Sequence, residues 1–260
     1  MQKLLSIIGA LGGWVTDKVA ELGKVAILLF DAIRWAFVPP FRFKNIIRQM
    51  EFVGVKSINI VLFTGFFTGM VLALQGYHVF KLFNAESLVG ATTAIAMARE
   101  MGPVISALMV IARAGSAMAA ELGTMRVTEQ VDALVSMSIN PVKYLVVPRI
   151  IAGITMMPIL ASIFSLAGVF GSYFAGVKLL GINSGIFMGR IYEMIDVEDF
   201  TNGIIKSIFF GLFFTLISCY HGLNARGGAA GVGIATNRAV VVACVTIVIS
   251  DYFLTAMMFG

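Results

Sequence analysis

The stretch SINIVLFTGFFTGMVLALQGYHVF, residues 57–80, lies between Lys56 and Lys81 and carries no Asp, Glu, Lys or Arg. A bilayer's hydrocarbon core is crossed by a helix of about 20 mostly apolar residues, so this run is long enough to span. Four more runs of the same kind follow. From Ser87 to Ala112 the only charges are Arg99 and Glu100; between Arg149 and Lys178 there are none; Lys206 alone interrupts Phe200–Leu223, and Asp251 alone interrupts Ala239–Gly260. Composition agrees. The 260 residues are 59% hydrophobic and 13% charged, with a mean hydropathy of +0.94, whereas soluble domains are about 45–50% apolar and about 25% charged. The sequence predicts an all-α integral membrane protein with five transmembrane helices, at about 57–80, 87–112, 150–177, 200–223 and 239–260.

Basic residues accumulate on the cytoplasmic side of membrane proteins. Before the first span stand Lys3, Lys18, Lys24, Arg34, Arg42, Lys44, Arg48 and Lys56; the 2–3 connection carries Arg113, Arg126, Lys143 and Arg149, and the 4–5 connection Arg226 and Arg238. The other side has Lys81, Lys178 and Arg190, beside the acids Glu193, Asp196, Glu198 and Asp199. Fourteen against three predicts a cytoplasmic N-terminus and an outward C-terminus. It also accounts for the pI near 9.3 by topology, without invoking a nucleic-acid partner.

The chain divides into an N-terminal region, 1–50, and a transmembrane domain, 51–260. In the first region Leu4, Ile8, Leu11, Val15, Leu22, Val25, Leu29 and Ile33 recur near helical spacing. Asp17, Lys18, Glu21, Lys24 and Asp31 interrupt them, and Trp14 and Trp35 suit an interfacial depth. This predicts an amphipathic helix in the membrane surface, stopped at Pro39-Pro40. Arg42, Lys44 and Arg48 then stand where lipid headgroups would be met. A single Lys in the n-region and no small-residue cleavage site argue that the segment is retained rather than removed as a signal peptide.

Arg99, Glu100, Lys206 and Asp251 are intramembrane charges. By the ~1.5 Å helical rise, Arg99, Lys206 and Asp251 fall roughly 18–24 Å from the inner face. An isolated charge at that depth costs at least ~2.5–3.5 kcal/mol, so pairing across helices is expected. The network either fixes helix register or gives a substrate cavity a polar lining, and the two roles are compatible. Gly65 and Gly69 form a GxxxG, and Ala112, Ala114, Gly115, Ser116, Ala117, Ala119 and Ala120 make the end of the second span small-sided. Such faces pack helices within a bundle or across a dimer.

Between the second and third spans, residues 121–135 are polar yet keep apolar positions at Val127, Val131, Leu134 and Val135. A short cytoplasmic amphipathic helix is expected, either solvated or docking its apolar face into a groove of a cytoplasmic protein. Asn140-Pro141 then provides an N-cap and first helical residue. The glycine-rich segment 224–236 follows no strand and lacks the Walker lysine, so it is expected to be a tight cytoplasmic turn. With no GxxxxGK[ST] in the chain, any ATP hydrolysis must come from another subunit. His78 and His221 stand near opposite ends of their spans, and no catalytic or metal constellation is evident; Cys219 and Cys244 lie in apolar runs. The chain is expected to be neither an enzyme nor a holder of metal or cofactor.

Leu74-Gln75-Gly76-Tyr77, Arg99-Glu100-Met101-Gly102-Pro103-Val104, Arg113-Ala114-Gly115-Ser116-Ala117, the segment from Ala120 to Leu134 and the ending from Asp251 to Gly260 together resemble the MlaE-type permeases, from about residue 50 onward. The resemblance implies the permease subunit of an ABC transporter that moves phospholipid between the inner and outer membranes of double-membraned bacteria and maintains outer-membrane lipid asymmetry. It implies an inner-membrane homodimer that docks a pair of cytoplasmic ABC ATPases beneath a periplasmic ring of MCE-domain proteins, often with a STAS-domain protein. ATP would be used by the partner. Carried over residue by residue, Glu121, Met125, Arg126, Thr128, Glu129, Gln130 and Asp132 would belong to a coupling helix that seats in the ATPase. Arg99, Glu100, Lys206 and Asp251 would form a charged cluster beside the lipid cavity, with Gln75 and Tyr77 near its outward opening. The alternatives from the residues alone are an ATPase-independent secondary transporter or channel using Glu100 and Asp251, and a structural scaffold.

Overall fold

A computed structural model of the chain describes residues 2–39 and 42–259; its side-chain description begins at Gly13 and leaves out positions 14, 15, 17, 18 and 259. The expectations placed on Leu4, Ile8, Leu11, Trp14, Val15, Asp17, Lys18, Pro40 and Gly260 therefore lie outside the described residues or side chains. Among the described residues every regular element is helical: α1 (Gln2–Ala36), α2 (Phe43–Val53), α3 (Ile58–Lys81), α4 (Val89–Ala96), α5 (Gly102–Val110), α6 (Ser116–Val127), α7 (Gln130–Ser136), α8 (Val147–Tyr173), α9 (Ser184–Met194), α10 (Val197–Leu223) and α11 (Gly228–Phe259). Among the described residues five helical stretches are long and apolar enough to cross a membrane: Phe43–Lys81, Glu86–Val127, Val142–Leu179, Val197–Leu223 and Gly228–Met258.

The third span, built on α8, is central and packs against α3 on one side and α10 on the other. Glycines make both approaches possible. A Cβ on Gly69 would lie 1.9 Å from the Gly168 carbonyl oxygen, and one on Gly211 would lie 2.3 Å from that of Gly153. The Gly65–Gly69 pair thus serves packing within the bundle, where small residues let backbones meet in the absence of a hydrophobic drive between helices. The small face of the second span is divided. Ala114, Gly115 and Ala119 are buried, the last two close to Ser218 and Gly222 of α10, whereas Ala112 and Ala117 stay exposed.

The helices extend further than the charge-free runs predicted. The first span begins with the amphipathic α2, turns at Gly54 and continues as α3. Arg113 holds this elbow, donating to the Phe52 carbonyl at 2.6 Å and the Ser57 hydroxyl at 2.8 Å. An arginine so placed need not end its own helix, and the second span runs on through α6 to Val127. It does so through two π-helical turns, Met97–Met101 and Ile111–Gly115, each carrying charge. The fifth span begins at Gly228 rather than near 239. The expected glycine-rich turn is confined to its first residues, where Gly227 and Gly228 take φ of 90° and 68°, a conformation that suits glycine.

The short amphipathic helix expected within residues 121–135 is α7, set off from the second span by a break. Glu129 adopts φ 60°, separating the end of α6 from the short α7. Asn140 does cap the next segment: its Oδ1 accepts from the amides of Val142 and Lys143 at 2.9 and 3.2 Å. At the opposite end of the bundle, α9 was not foreseen. Asn183 caps it, and its Phe187 ring is buried where Gly90 and Gly176 leave room.

The N-terminal helix α1 lies against the α7 end of the bundle. Val25, Leu28, Leu29, Ala32 and Trp35 pack on the cluster that includes Leu145, Val146, Ile150, Leu216 and Cys219. Its other side presents Val19, Ile27 and Phe30, exposed by 62–75%.

Candidate functional site

The fully buried Lys206 of α10 organises the intramembrane charges. An ammonium has three donors and no acceptor, and three oxygens surround this one. Nζ stands 2.6 Å from Glu100 Oε2, 2.6 Å from Thr255 Oγ1 and 3.2 Å from Asp251 Oδ1. Glu100 comes from the first π turn of the second span; Asp251 and Thr255 come from α11, one turn apart and hence on one face. The Thr255 hydroxyl also lies 2.8 Å from the Asp251 carbonyl and 3.3 Å from Glu100 Oε1. Three helices are thus joined at one point. The ammonium is sealed while the two carboxylate side chains keep 34% and 22% of their exposure, so the polar side of the cluster opens away from the core.

Arg99 departs from the four-member network expected from sequence. Its Nε pairs with Asp199 Oδ1, and Asp199 is buried. Neighbouring residues on a helix project about 100° apart at 3.6 residues per turn, so Arg99 and Glu100 take different partners. The sequence groups Asp199 with the acids of the 3–4 connection. It instead sits in the first turn of α10, where its Oδ2 accepts from the Asp196 amide at 3.1 Å in a capping box and its charge complements the helix dipole. Asp199 and Thr255 were therefore missed. Asp199 stands seven positions before Lys206 and Thr255 four after Asp251, and these helical spacings were the available signal.

Gln75 and Tyr77 are two positions apart near the α9 end of α3, on different sides of the helix. Gln75 is exposed, whereas Tyr77 packs with Ala73, Val89 and Ala175, and Lys81 Nζ stands 5.5 Å above its ring.

The residues singled out between the second and third spans occupy three settings. Glu121 is on the span itself and meets the buried Arg149 at 2.7 Å; that guanidinium also donates to the Leu145 carbonyl at 2.7 Å. Met125 packs inward. Arg126 and Asp132 close the break with a 2.5 Å ion pair, and Gln130 Nε2 donates to the Thr128 hydroxyl at 3.0 Å. Thr128, Glu129, Gln130 and Asp132 of the set are exposed around the break and α7, and Glu121 is exposed on the span. The apolar side of α7 is partly spent on the protein itself, since Val131 is buried and Leu134 packs with it, while Val135 and Met137 are 57% and 62% exposed.

An all-α membrane protein whose core carries a sealed lysine between carboxylates from two other spans, with a short helix beyond the second span, has the build of a transporter's membrane subunit. A family profile described as "Permease MlaE" matches residues 46–257. The chain is 42% identical over 256 residues to a "Probable ABC transporter permease protein" of Rickettsia bellii, covering 98% of this chain and 99% of that protein. It is 38% identical over 258 residues to the "Intermembrane phospholipid transport system permease protein MlaE" of Haemophilus influenzae, covering 99% of each. A probable ABC transporter permease of Synechocystis is 40% identical over 216 residues, covering 83% of this chain and 82% of the relative. The chain belongs to the MlaE permease family.

Proposed function

We propose that this chain is the permease subunit of an ABC-type transporter that moves phospholipid between the inner and outer membranes, so maintaining outer-membrane lipid asymmetry. The observation that carries this reading is the Lys206 cluster. Its cation is sealed between helices while Glu100 and Asp251 open away from the core, as polar groups lining a path for an amphiphile would. A second copy of the chain would wall that opening, with apolar helix faces for acyl chains and the carboxylates near the headgroup. Gln75 and Tyr77 would stand towards the outward mouth. The name of the Haemophilus relative supports phospholipid as the substrate.

The basic residues orient the α7 end to the cytoplasm of an inner-membrane protein, with the C-terminus periplasmic and α1 in the cytoplasmic interface. The exposed apolar side of α1 supports that placement. ATP would be hydrolysed by a separate ATPase pair seated on Glu129, Gln130, Asp132 and the exposed Val135 and Met137. Arg126 and Thr128 would brace the break, and Glu121 and Met125 would carry movement into the spans. An MCE-domain ring and a STAS-domain protein would complete the assembly. The test is mild-detergent purification from the native membrane, with mass spectrometry of the proteins and lipids that accompany the chain. An ABC ATPase, an MCE-domain protein and bound phospholipid are expected. A chain that stays alone across several detergents, and transports on membrane potential without ATP, would refute the reading in favour of a carrier using Glu100 and Asp251.

A further inference from the structure

We infer a second lipid site, for the phosphate headgroup of an anionic phospholipid in the leaflet at the α7 end, in the cavity between α1 and the α10–α11 turn. It uses the orientation proposed above but none of the Lys206 cluster, and stands or falls separately from transport through that cluster.

The cavity has a volume of about 450 Å³ and is bounded by α1, the end of α10 and the start of α11. Three basic side chains, Lys24, Arg226 and Arg238, line it against one acid, Glu21. Arg238 meets Glu21 at 3.2 Å. Lys24 and Arg226 are exposed and belong to no salt bridge among the described residues, so two cations face the cavity without a carboxylate of their own. Its floor is polar and buried: Tyr220 and His221 are 8% and 7% exposed. A cavity with this charge suits a phosphate, which arginine binds through paired donors and lysine as a point charge. Basic pockets between spans at the cytoplasmic surface are where lipid headgroups are held.

A second cavity points to a lipid in particular. It measures about 290 Å³ and is lined wholly by apolar side chains, among them Leu29, Ala32 and Ile33 of α1 and Ile150 and Ile154 of α8. Lys24 and Ala32 are separated by about 12 Å along α1 at the helical rise of ~1.5 Å per residue. The span α10 also borders both, the cationic recess at Tyr220 and the apolar groove at Leu212, eight residues or about 12 Å deeper along the span, the order in which a phospholipid presents its headgroup and chains. A soluble phosphate compound would have no use for the groove.

The experiment uses the full chain purified in detergent and labelled with phosphatidylglycerol carrying a photoreactive acyl chain, with phosphatidylcholine bearing the same group as comparison. The crosslinked peptides are then mapped. Crosslinks within residues 24–37 and 147–154, at least fivefold stronger for phosphatidylglycerol, are expected. The double variant Lys24→Gln/Arg226→Gln should lower them at least fivefold. Both side chains are exposed and unpaired, so this variant is expected to fold, and an unchanged elution profile checks it. Glu100→Gln should leave these crosslinks as they are. Labelling equal in the double variant, labelling indifferent to headgroup charge, or none in these segments would overturn the site. Protection by inorganic phosphate at the same concentration as unlabelled phosphatidylglycerol would assign the recess to free phosphate and overturn the lipid.

Discussion

Replacing Lys206 with methionine removes the single cation from a site built of two carboxylates while leaving an apolar stem in its place. Nζ gives up contacts at 2.6 Å to Glu100, 2.6 Å to Thr255 and 3.2 Å to Asp251. Removing one partner of a buried ion pair costs about 3–5 kcal/mol, because the other charge is left uncompensated. Here the carboxylate side chains retain 34% and 22% of their exposure. Water or a proton can relieve part of the repulsion, so about 3 kcal/mol, the lower end, is expected. That is roughly a hundredfold in the folding equilibrium at ~1.4 kcal/mol per factor of ten. The same reasoning fixes a companion variant. Lys206→Met together with Glu100→Gln and Asp251→Asn removes all the charge at once, and should recover most of the loss. The assay is thermal unfolding in one detergent, followed by size-exclusion chromatography, for the wild type, single and triple variants. A single variant that melts with the wild type, or a triple variant no better than the single, refutes the reasoning. Lipid transfer by the triple variant then separates roles. A folded but inactive protein assigns the charges to transport, and a folded active one confines them to holding the helices together.

Gly69→Ala places a Cβ 1.9 Å from a backbone oxygen of α8, where no side chain can yield; a loss of about 3 kcal/mol, the upper end of overpacking, should show in the same melting assay. Gly23→Ala on α1 meets nothing within 4 Å and should instead stabilise by about 0.5–1 kcal/mol through helix propensity, so equal effects at the two glycines would discredit the packing account. Asp199→Asn keeps the volume but weakens the pair with Arg99; since Arg99 is 37% exposed, a loss of only about 1–2 kcal/mol is expected, and an unaltered melting temperature would show the pair to be solvated and idle. Glu129→Lys, or alanines across 126–132, should reduce recovery of the ATPase with the tagged permease; undiminished recovery with these variants removes this segment from the docking surface.

The spans were legible because a charge-free run of this length has few destinations other than a bilayer. Their ends were not, and Arg113 shows why. Read alone, a charge closes a span. In the fold its guanidinium reaches the carbonyl of Phe52 and the hydroxyl of Ser57, a tertiary partner 56 or more positions away that no local pattern reveals. Glu121 misled in the same way, since Arg149 receives it. The break at Glu129 was hidden because Val127, Val131 and Leu134 keep helical spacing across it; a single left-handed residue does not disturb a periodicity counted in sequence. Lys206, Glu100 and Asp251 were found because charge inside a membrane-spanning run has to find a partner. Which charges pair was not found, because that depends on the rotation of each helix about its axis, and rotation is set by packing.

The π turns decide that rotation in the second span. A π turn accommodates an extra residue in the helical ladder, shifting the face presented by everything that follows. Glu100 and Arg99 sit within one such turn, and their partners Lys206 and Asp199 lie on the same helix, α10, seven positions and ~10 Å apart along its axis. Two adjacent residues reach partners that far apart only if they project differently along the interface, and a widened turn provides the room. Below it, Gly102 comes so close to α8 that a Cβ would lie 2.0 Å from Ser165 Oγ, and Ser165 in turn donates to the carbonyl of Met97 inside the turn, at 2.9 Å. The hydroxyl thus engages a carbonyl of the widened ladder. The charged pair, the turn and the serine across from it form one device, so the geometry at Glu100 depends as much on Ser165 and Gly102, neither of which carries charge, as on the lysine it faces.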